Sequence, residues 1–186
     1  MFLENIHYIK EEFFSKSFCE DIIKVGDQNR LKEAKITDGN SKNRKSNITW
    51  IKDDKLISKI TPIINKANEY SKWNFLLREF EPLQYTIYNK DDHYDWHIDS
   101  HIKPYENGLI RKLSFTICLN EDYKGGEFEL SKPHPQASKT INLKFKEVFK
   151  QGTIIIFPSF IWHKVYPIIS GIRKVLVGWV VGKSFV

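Results

Sequence analysis

The chain has 186 residues and a formal net charge of +6, a length that suits one domain around one core. Hydrophobic residues make up 41% and aromatics 14%, which excludes an intrinsically disordered chain and, with many Ile, Val and Thr, leans toward β-structure. Two cysteines, Cys19 and Cys118, are too few for a disulfide framework; the opening segment lacks a signal-peptide layout, and no apolar run reaches the ~18 residues that cross a bilayer. The expectation is a cytoplasmic, reducing location without membrane contact. The positive charge is not gathered into a basic arm, so nucleic acid is disfavoured as a partner.

Taken in chain order, Ser17 and Glu20 form a capping-box pair before Ile22, Ile23 and Val25, which predicts a helix over about 17–27. The stretch 27–47, DQNRLKEAKITDGNSKNRKSN, is polar and basic and reads as a loop or flap, with Trp50 opening the next ordered element. Leu56, Ile60, Ile63, Ile64 and Ala67 recur at helical spacing over about 54–71. Pro62 interrupts that pattern, so the helix starts there with Thr61 as N-cap, or kinks. After Trp73 the period changes to two. Candidate strands are 75–80, 83–89, 94–98, 112–119, 126–130, 140–147, 153–157, 162–167 and 172–181, separated by Gly, Pro and Asn turn signals. Short strands at this spacing predict a mainly β fold, a sandwich or jelly roll with N-terminal helices packed on one sheet. The expected organisation is a single domain over 1–186, helical to about residue 72 and β from about residue 73.

The chemistry concentrates in three strand segments. In HYDWHIDS (93–100), His97 and Asp99 stand two apart, a spacing that puts both side chains on one face of an extended strand. A third donor, His163, comes from FPSFIWHKVYPI (157–168), just after a turn. Two imidazoles and one carboxylate with open positions opposite are the ligand set of non-haem Fe(II) oxygenases. Ten residues on, Arg173 lies among Val175, Val177 and Trp179, where its charge is costly without an anion. A dicarboxylate that chelates the metal at one end would supply that anion to the guanidinium fork. Blander readings stand beside these. His97 and Asp99 could be a surface pair, His163 a core histidine, and Arg173 the partner of Glu127 or Glu129. His93 and His101 flank His97 as decoys, Asp92 and Asp95 read as solvated, His7 and His134 as inert, and Gly125-Gly126 as a plain turn.

QYTIY (84–88), YDWHID (94–99), RKLSFTICLN (111–120), the Gly-Gly-Glu of YKGGEFEL (123–130), GTIIIFP (152–158), WHKVYPI (162–168) and GIRKVLVGW (171–179) together resemble the 2-oxoglutarate/Fe(II) oxygenases of the prolyl 4-hydroxylase and PKHD-type branch. The resemblance runs from about Asn68 to Trp179. It implies a double-stranded β-helix (jelly roll), with Fe(II) on His97, Asp99 and His163. It also implies 2-oxoglutarate on Arg173, O₂ as oxidant and ascorbate as accompanying reductant. Tyr88 matches a tyrosine that contacts the co-substrate, Trp179 a position near the active centre, and Tyr94 the substrate mouth. Prolyl 4-hydroxylases proper mostly carry Lys where this chain has Arg173, and Val177 stands where some relatives have Thr, which shifts weight to the PKHD-like enzymes. The implied function is a 2-oxoglutarate-dependent dioxygenase that hydroxylates an unactivated C–H bond, first of all on a prolyl residue in a peptide or protein. The alternatives are a free amino acid or small metabolite as substrate, and a catalytically silent jelly-roll domain that binds a ligand. Nucleic-acid dealkylation ranks low, because no second Arg follows Arg173.

Overall fold

The computed structural model describes residues 5–34, 43–100, 103–133, 137, 140–145 and 150–184. The chain opens with β1 (Tyr8–Lys10) and α1 (Lys16–Gln28), then the short strands β2 (Lys32–Glu33), β3 (Arg44–Lys45) and β4 (Asn47–Ile51), then α2 (Asp54–Tyr70). The remainder is strand. First come β5 (Leu77–Phe80), β6 (Leu83–Tyr88), β7 (His93–His97), β8 (Leu109–Cys118), β9 (Tyr123–Gly125) and β10 (Phe128–Lys132). They are followed by β11 (Ile141–Phe145), β12 (Ile154–Pro158), β13 (Trp162–Val165), β14 (Ile168–Gly171) and β15 (Arg173–Lys183).

An eight-stranded sheet runs β1-β12-β8-β15-β6-β4-β2, with β5 also on β15; a five-stranded sheet runs β11-β10-β13-β7-β3, and β14 pairs with β9. The strand pairs are antiparallel. This is the mainly β jelly roll that the strand spacing predicts, with both helices on the outer face of the larger sheet.

Period-2 alternation divides the core in two. On one face of the large sheet, Leu83, Tyr85, Leu113, Phe115, Ile117, Ile154, Ile156 and Leu176 pack against Cys19 and Ile22 of α1 and Ile60, Ile63, Ile64 and Ala67 of α2. On the other face, Tyr88, Cys118, Ile155, Phe157 and Val175 meet Phe128, Leu130 and Val165 of the smaller sheet. Gly26 allows the close approach of α1: a Cβ there would stand 2.4 Å from the Tyr85 ring.

Local signals were outvoted at several places. The cap of α1 is Ser15, whose hydroxyl accepts from the Phe18 amide at 3.2 Å, rather than Ser17. Asp53, not Thr61, caps α2, accepting from the Lys55 and Leu56 amides at 2.9 and 3.1 Å. The helix passes through Pro62 because the proline and Ser58, whose carbonyl loses its donor, both lie on the exposed face. Within 27–47, where a loop was expected, residues 27–28 finish α1 and the rest contributes β2, β3 and the start of β4; residues 35–42 fall outside the described set. Trp50 lies inside β4 instead of opening it. The strands β2 and β3 are two-residue edge pieces made of polar residues, so no alternation betrays them. The N-terminal part therefore adds strands to both sheets as well as helices. Of the 131–137 loop, Ser131 and Lys132 belong to β10, and residues 134–136, like His101, lie outside the described residues.

Candidate metal centre and co-substrate pocket

His163 on β13 stands directly opposite His97 on β7 in the register of the smaller sheet. Asp99 lies two residues past the end of β7. The turn before β13 fixes it, because the Asp99 and Ser100 amides both donate to the Ser159 carbonyl, at 2.9 and 3.0 Å. His97 Nε2 is 3.8 Å from Asp99 Oδ1 and His163 Nε2 is 3.5 Å from Asp99 Oδ2. One donor atom from each residue lies within 4.8 Å of the others.

The second ring nitrogens decide the tautomers. His97 Nδ1 is 2.7 Å from the Asp95 carbonyl and His163 Nδ1 is 3.0 Å from the Ile161 carbonyl. A carbonyl only accepts, so each Nδ1 carries a proton, and in a neutral ring Nε2 then presents its lone pair to the shared space. Burial, with His163 close by, holds the His97 pKa well below its usual value, which keeps the ring neutral. Burial alone would raise the Asp99 carboxyl; the neighbouring histidines, Arg111 and the Ser114 hydroxyl outweigh it and bring the pKa to about 2. Two imidazoles and one anionic carboxylate, each oriented by an outer partner, fit a divalent iron.

Arg173 begins β15 opposite Tyr88 on β6, with its guanidinium carbon 5.3 Å from the Tyr88 ring centroid. It is 2% exposed, and its Nε has no hydrogen-bond partner. Tyr123 and Cys118 lie near it. Neither glutamate weighed as its partner reaches it: Glu129 accepts instead from the Tyr166 hydroxyl at 2.6 Å and lies 3.7 Å from Lys164, and no described ion pair joins Arg173 to Glu127. Gly126 is more than a turn residue. It has φ +69°, and a Cβ there would crowd Ile168 at 2.5 Å and the Arg173 stem at 3.1 Å.

A cavity of about 250 Å³ joins the triad to Arg173. Tyr88, Tyr94 and Trp179, the three aromatic positions singled out from the sequence, all line it. Tyr94 stacks on the His97 ring, with centroids 3.4 Å apart and planes 11° from parallel. Three buried side-chain polar atoms among the described residues have no hydrogen-bond partner: Arg173 Nε, Thr116 Oγ1 and Trp179 Nε1. All three residues line this cavity.

Sequence reasoning missed Arg111, Thr116 and Arg44. Arg111 stacks 4.0 Å above the Trp179 ring, pairs through Nε and Nη2 with Glu81 at 2.8 and 2.5 Å, and reaches the Asp99 carbonyl at 3.4 Å. The signal was polar residues recurring every second position, Ser114 and Thr116, inside an otherwise apolar strand. Asp92, expected to be solvated, is 3% exposed; it accepts from the Asn89 amide at 2.8 Å and pairs with Lys45 at 3.2 Å, closing the turn that launches β7. His93, one of the decoys, turns its Nδ1 to the Asp91 carbonyl, away from the triad.

Residues 83–181 match the family model of the 2OG-Fe(II) oxygenase superfamily. The chain belongs to that superfamily, whose members are 2-oxoglutarate-dependent dioxygenases. Within it, the chain is similar in sequence to PKHD-type hydroxylases and in fold to prolyl hydroxylases. It is 26% identical over 186 residues to a PKHD-type hydroxylase of Synechococcus sp. (strain CC9311), an alignment that covers 94% of this chain and 78% of that protein. Against two further PKHD-type relatives the chain spans only 43% and 44% of their length. The viral collagen prolyl hydroxylase of Paramecium Bursaria Chlorella virus-1, solved with 2OG, superposes with a TM-score of 0.71 at 19% identity, covering 96% of this chain and 97% of that one. A Trichoplax adhaerens prolyl hydroxylase, solved with a hypoxia inducible factor peptide fragment, gives 0.71 at 18%, with 95% and 84% covered. At such identities the likeness establishes the shared fold. Among the described residues no helix is long and apolar enough to cross a membrane.

Proposed function

We propose that the chain forms a single oxygenase domain, that His97, Asp99 and His163 hold Fe(II), and that Arg173 binds the distal carboxylate of 2-oxoglutarate. The reaction proposed is hydroxylation of an unactivated C–H bond, on a prolyl residue of a peptide or protein. The observation that carries this reading is the pair of features in one cavity: three metal donors with their lone pairs turned inward, and a buried guanidinium lacking an anion. When bound, Fe(II) with 2-oxoglutarate and O₂ supplies the oxidising power, and ascorbate serves as an accompanying reductant.

The chain's own residues supply position and dryness. Arg173 offers a fork for a carboxylate at the closed end of the cavity, and Tyr88 opposite it fixes the depth. Thr116 Oγ1 and Trp179 Nε1 provide further polar contacts for oxygen atoms that enter. Phe128, Phe157, Val165 and Val175 line the same space with apolar surface and limit water. Tyr94, stacked on His97, edges the mouth and contacts the substrate. The peptide substrate is supported by the branch and by the peptide in the Trichoplax adhaerens neighbour. A free amino acid is the second outcome the same assay detects.

The test is succinate release with Fe(II), 2-oxoglutarate and ascorbate, with and without proline-containing peptides and free proline, while mass spectrometry looks for one added oxygen atom. Peptide-dependent succinate and oxygenated peptide, both absent in His163→Ala, are expected. Equal succinate in the two proteins would remove the reading.

A further inference from the structure

Arg44 lines the same cavity, and the catalytic reading leaves it unused. It sits on β3, in register opposite Tyr94 of β7. Its Nε donates to the hydroxyl of Ser46, which is 2% exposed, at 3.0 Å. Its guanidinium carbon lies 4.6 Å from the Tyr94 ring centroid. The His97 ring covers one face of Tyr94 at 3.4 Å, which leaves the opposite face for the guanidinium. Arg44, Tyr94 and His97 thus form a three-layer stack that ends at the metal centre.

The charges of the cavity do not balance without a further anion. Its lining carries three arginines, Arg44, Arg111 and Arg173, and one carboxylate, Asp99. Arg111 is neutralised by the fork-to-fork pair with Glu81. Asp99 belongs to the metal and Arg173 to the co-substrate. Among the described residues no carboxylate forms an ion pair with Arg44. Stacking and the bond to Ser46 hold the guanidinium plane, so its two terminal nitrogens are pre-oriented donors at the mouth.

We infer that Arg44 selects the substrate by binding a carboxylate held beside the C–H bond to be hydroxylated. This rests on the oxygenase reading of the same site. The carboxylate has two sources: an Asp or Glu side chain next to the target residue of a peptide, or the α-carboxylate of a free amino acid. A bidentate guanidinium–carboxylate pair in a half-closed site discriminates against the isosteric amide by about tenfold or more.

The experiment loads the protein with Mn(II) and 2-oxoglutarate under argon and measures binding of matched probes by calorimetry. The probes are proline-centred peptides in Glu/Gln and Asp/Asn pairs, and L-proline against L-prolinamide. The expected result is a carboxylate member of at least one pair binding about tenfold tighter than its amide. Arg44→Gln should bring that ratio to near unity, and Arg44→Lys should keep part of it. Equal binding within every pair, no binding by any probe, or discrimination that survives Arg44→Gln would overturn the inference. Aerobic turnover of the same probes with Fe(II) separates the two readings. Neutral peptides oxygenated as well as acidic ones would leave the hydroxylase and remove the Arg44 role. Arg44-dependent carboxylate binding without any oxygenated product would leave the Arg44 role and remove the prolyl substrate.

Discussion

The two faces of the eight-stranded sheet are built from the same strands and do opposite things. On β6, Leu83, Tyr85 and Ile87 point to the helices, while Gln84, Thr86 and Tyr88 occupy the other face, and every residue of the strand is buried. On β8, Leu113, Phe115 and Ile117 alternate with Ser114, Thr116 and Cys118. On β15, Leu176 and Val180 alternate with Arg173, Val175, Val177 and Trp179. The helix-covered face is apolar apart from the Tyr85 hydroxyl and Lys174, which both reach Asp27 of α1, and stabilises by exclusion of water. The inner face carries buried polar groups with no hydrogen-bond partner among the described residues, a cost to the fold that a ligand would offset. Stability and function are therefore separable by parity along these strands up to the register shift at Val180 and Val181, beyond which Arg111 joins the cavity.

Substitutions on the two faces should break along that line. The largest functional effect is expected for His163→Ala. Removing a ligand should reduce succinate formation by more than the about 10–100-fold typical of losing an outer partner, while the thermal midpoint without metal changes little. Arg173→Ala comes next. It should raise the KM for 2-oxoglutarate by about 30-fold or more, as removal of a buried charge partner costs about 2–5 kcal/mol, and leave metal binding near that of the parent. Loss of metal instead would assign Arg173 a structural role. On the opposite face, Ile64→Ala, at a fully buried position on the sheet-facing side of α2, should cost about 2–5 kcal/mol in urea unfolding with unchanged affinity for 2-oxoglutarate. Gly26→Ala belongs to the same class: its Cβ has no room beside Tyr85, and the expected loss is about 1–3 kcal/mol. The smallest effect sharpens the comparison most. Thr116→Val removes a buried, unpartnered hydroxyl at nearly constant volume. It should raise the stability of the ligand-free protein by roughly 1 kcal/mol and weaken 2-oxoglutarate binding.

The sequence carried the strands after Trp73 other than β9 and β14, which fall on its Gly turn signals, and the candidate site at their centre, because both depend on strong local signals. Alternation marks a half-buried strand whatever it pairs with, and His97, Asp99, His163 and Arg173 sit in motifs dense enough to recognise. Less legible were β2 and β3, two polar residues each at sheet edges: their partners are distant in the chain and nothing in their composition reports pairing. The helix caps were misplaced by one choice among several hydroxyl and carboxylate residues within a few positions, which only the backbone path resolves. Arg111 and Arg44 were overlooked for a related reason. Each is one basic residue among many in a chain of 29 Lys and Arg, and its role depends on contacts across strands, with Glu81 and Trp179 for one and with Tyr94 for the other. Asp92 was misjudged because a turn carboxylate that accepts from its own backbone looks solvated in sequence.

The most direct measurement is anaerobic Fe(II) binding by calorimetry in the parent, Asp99→Ala and His163→Ala proteins. The parent is expected to bind one Fe(II) per chain, and each variant to lose most of that affinity while remaining folded by circular dichroism. Undiminished one-to-one binding in both variants would contradict the placement of the metal between these side chains.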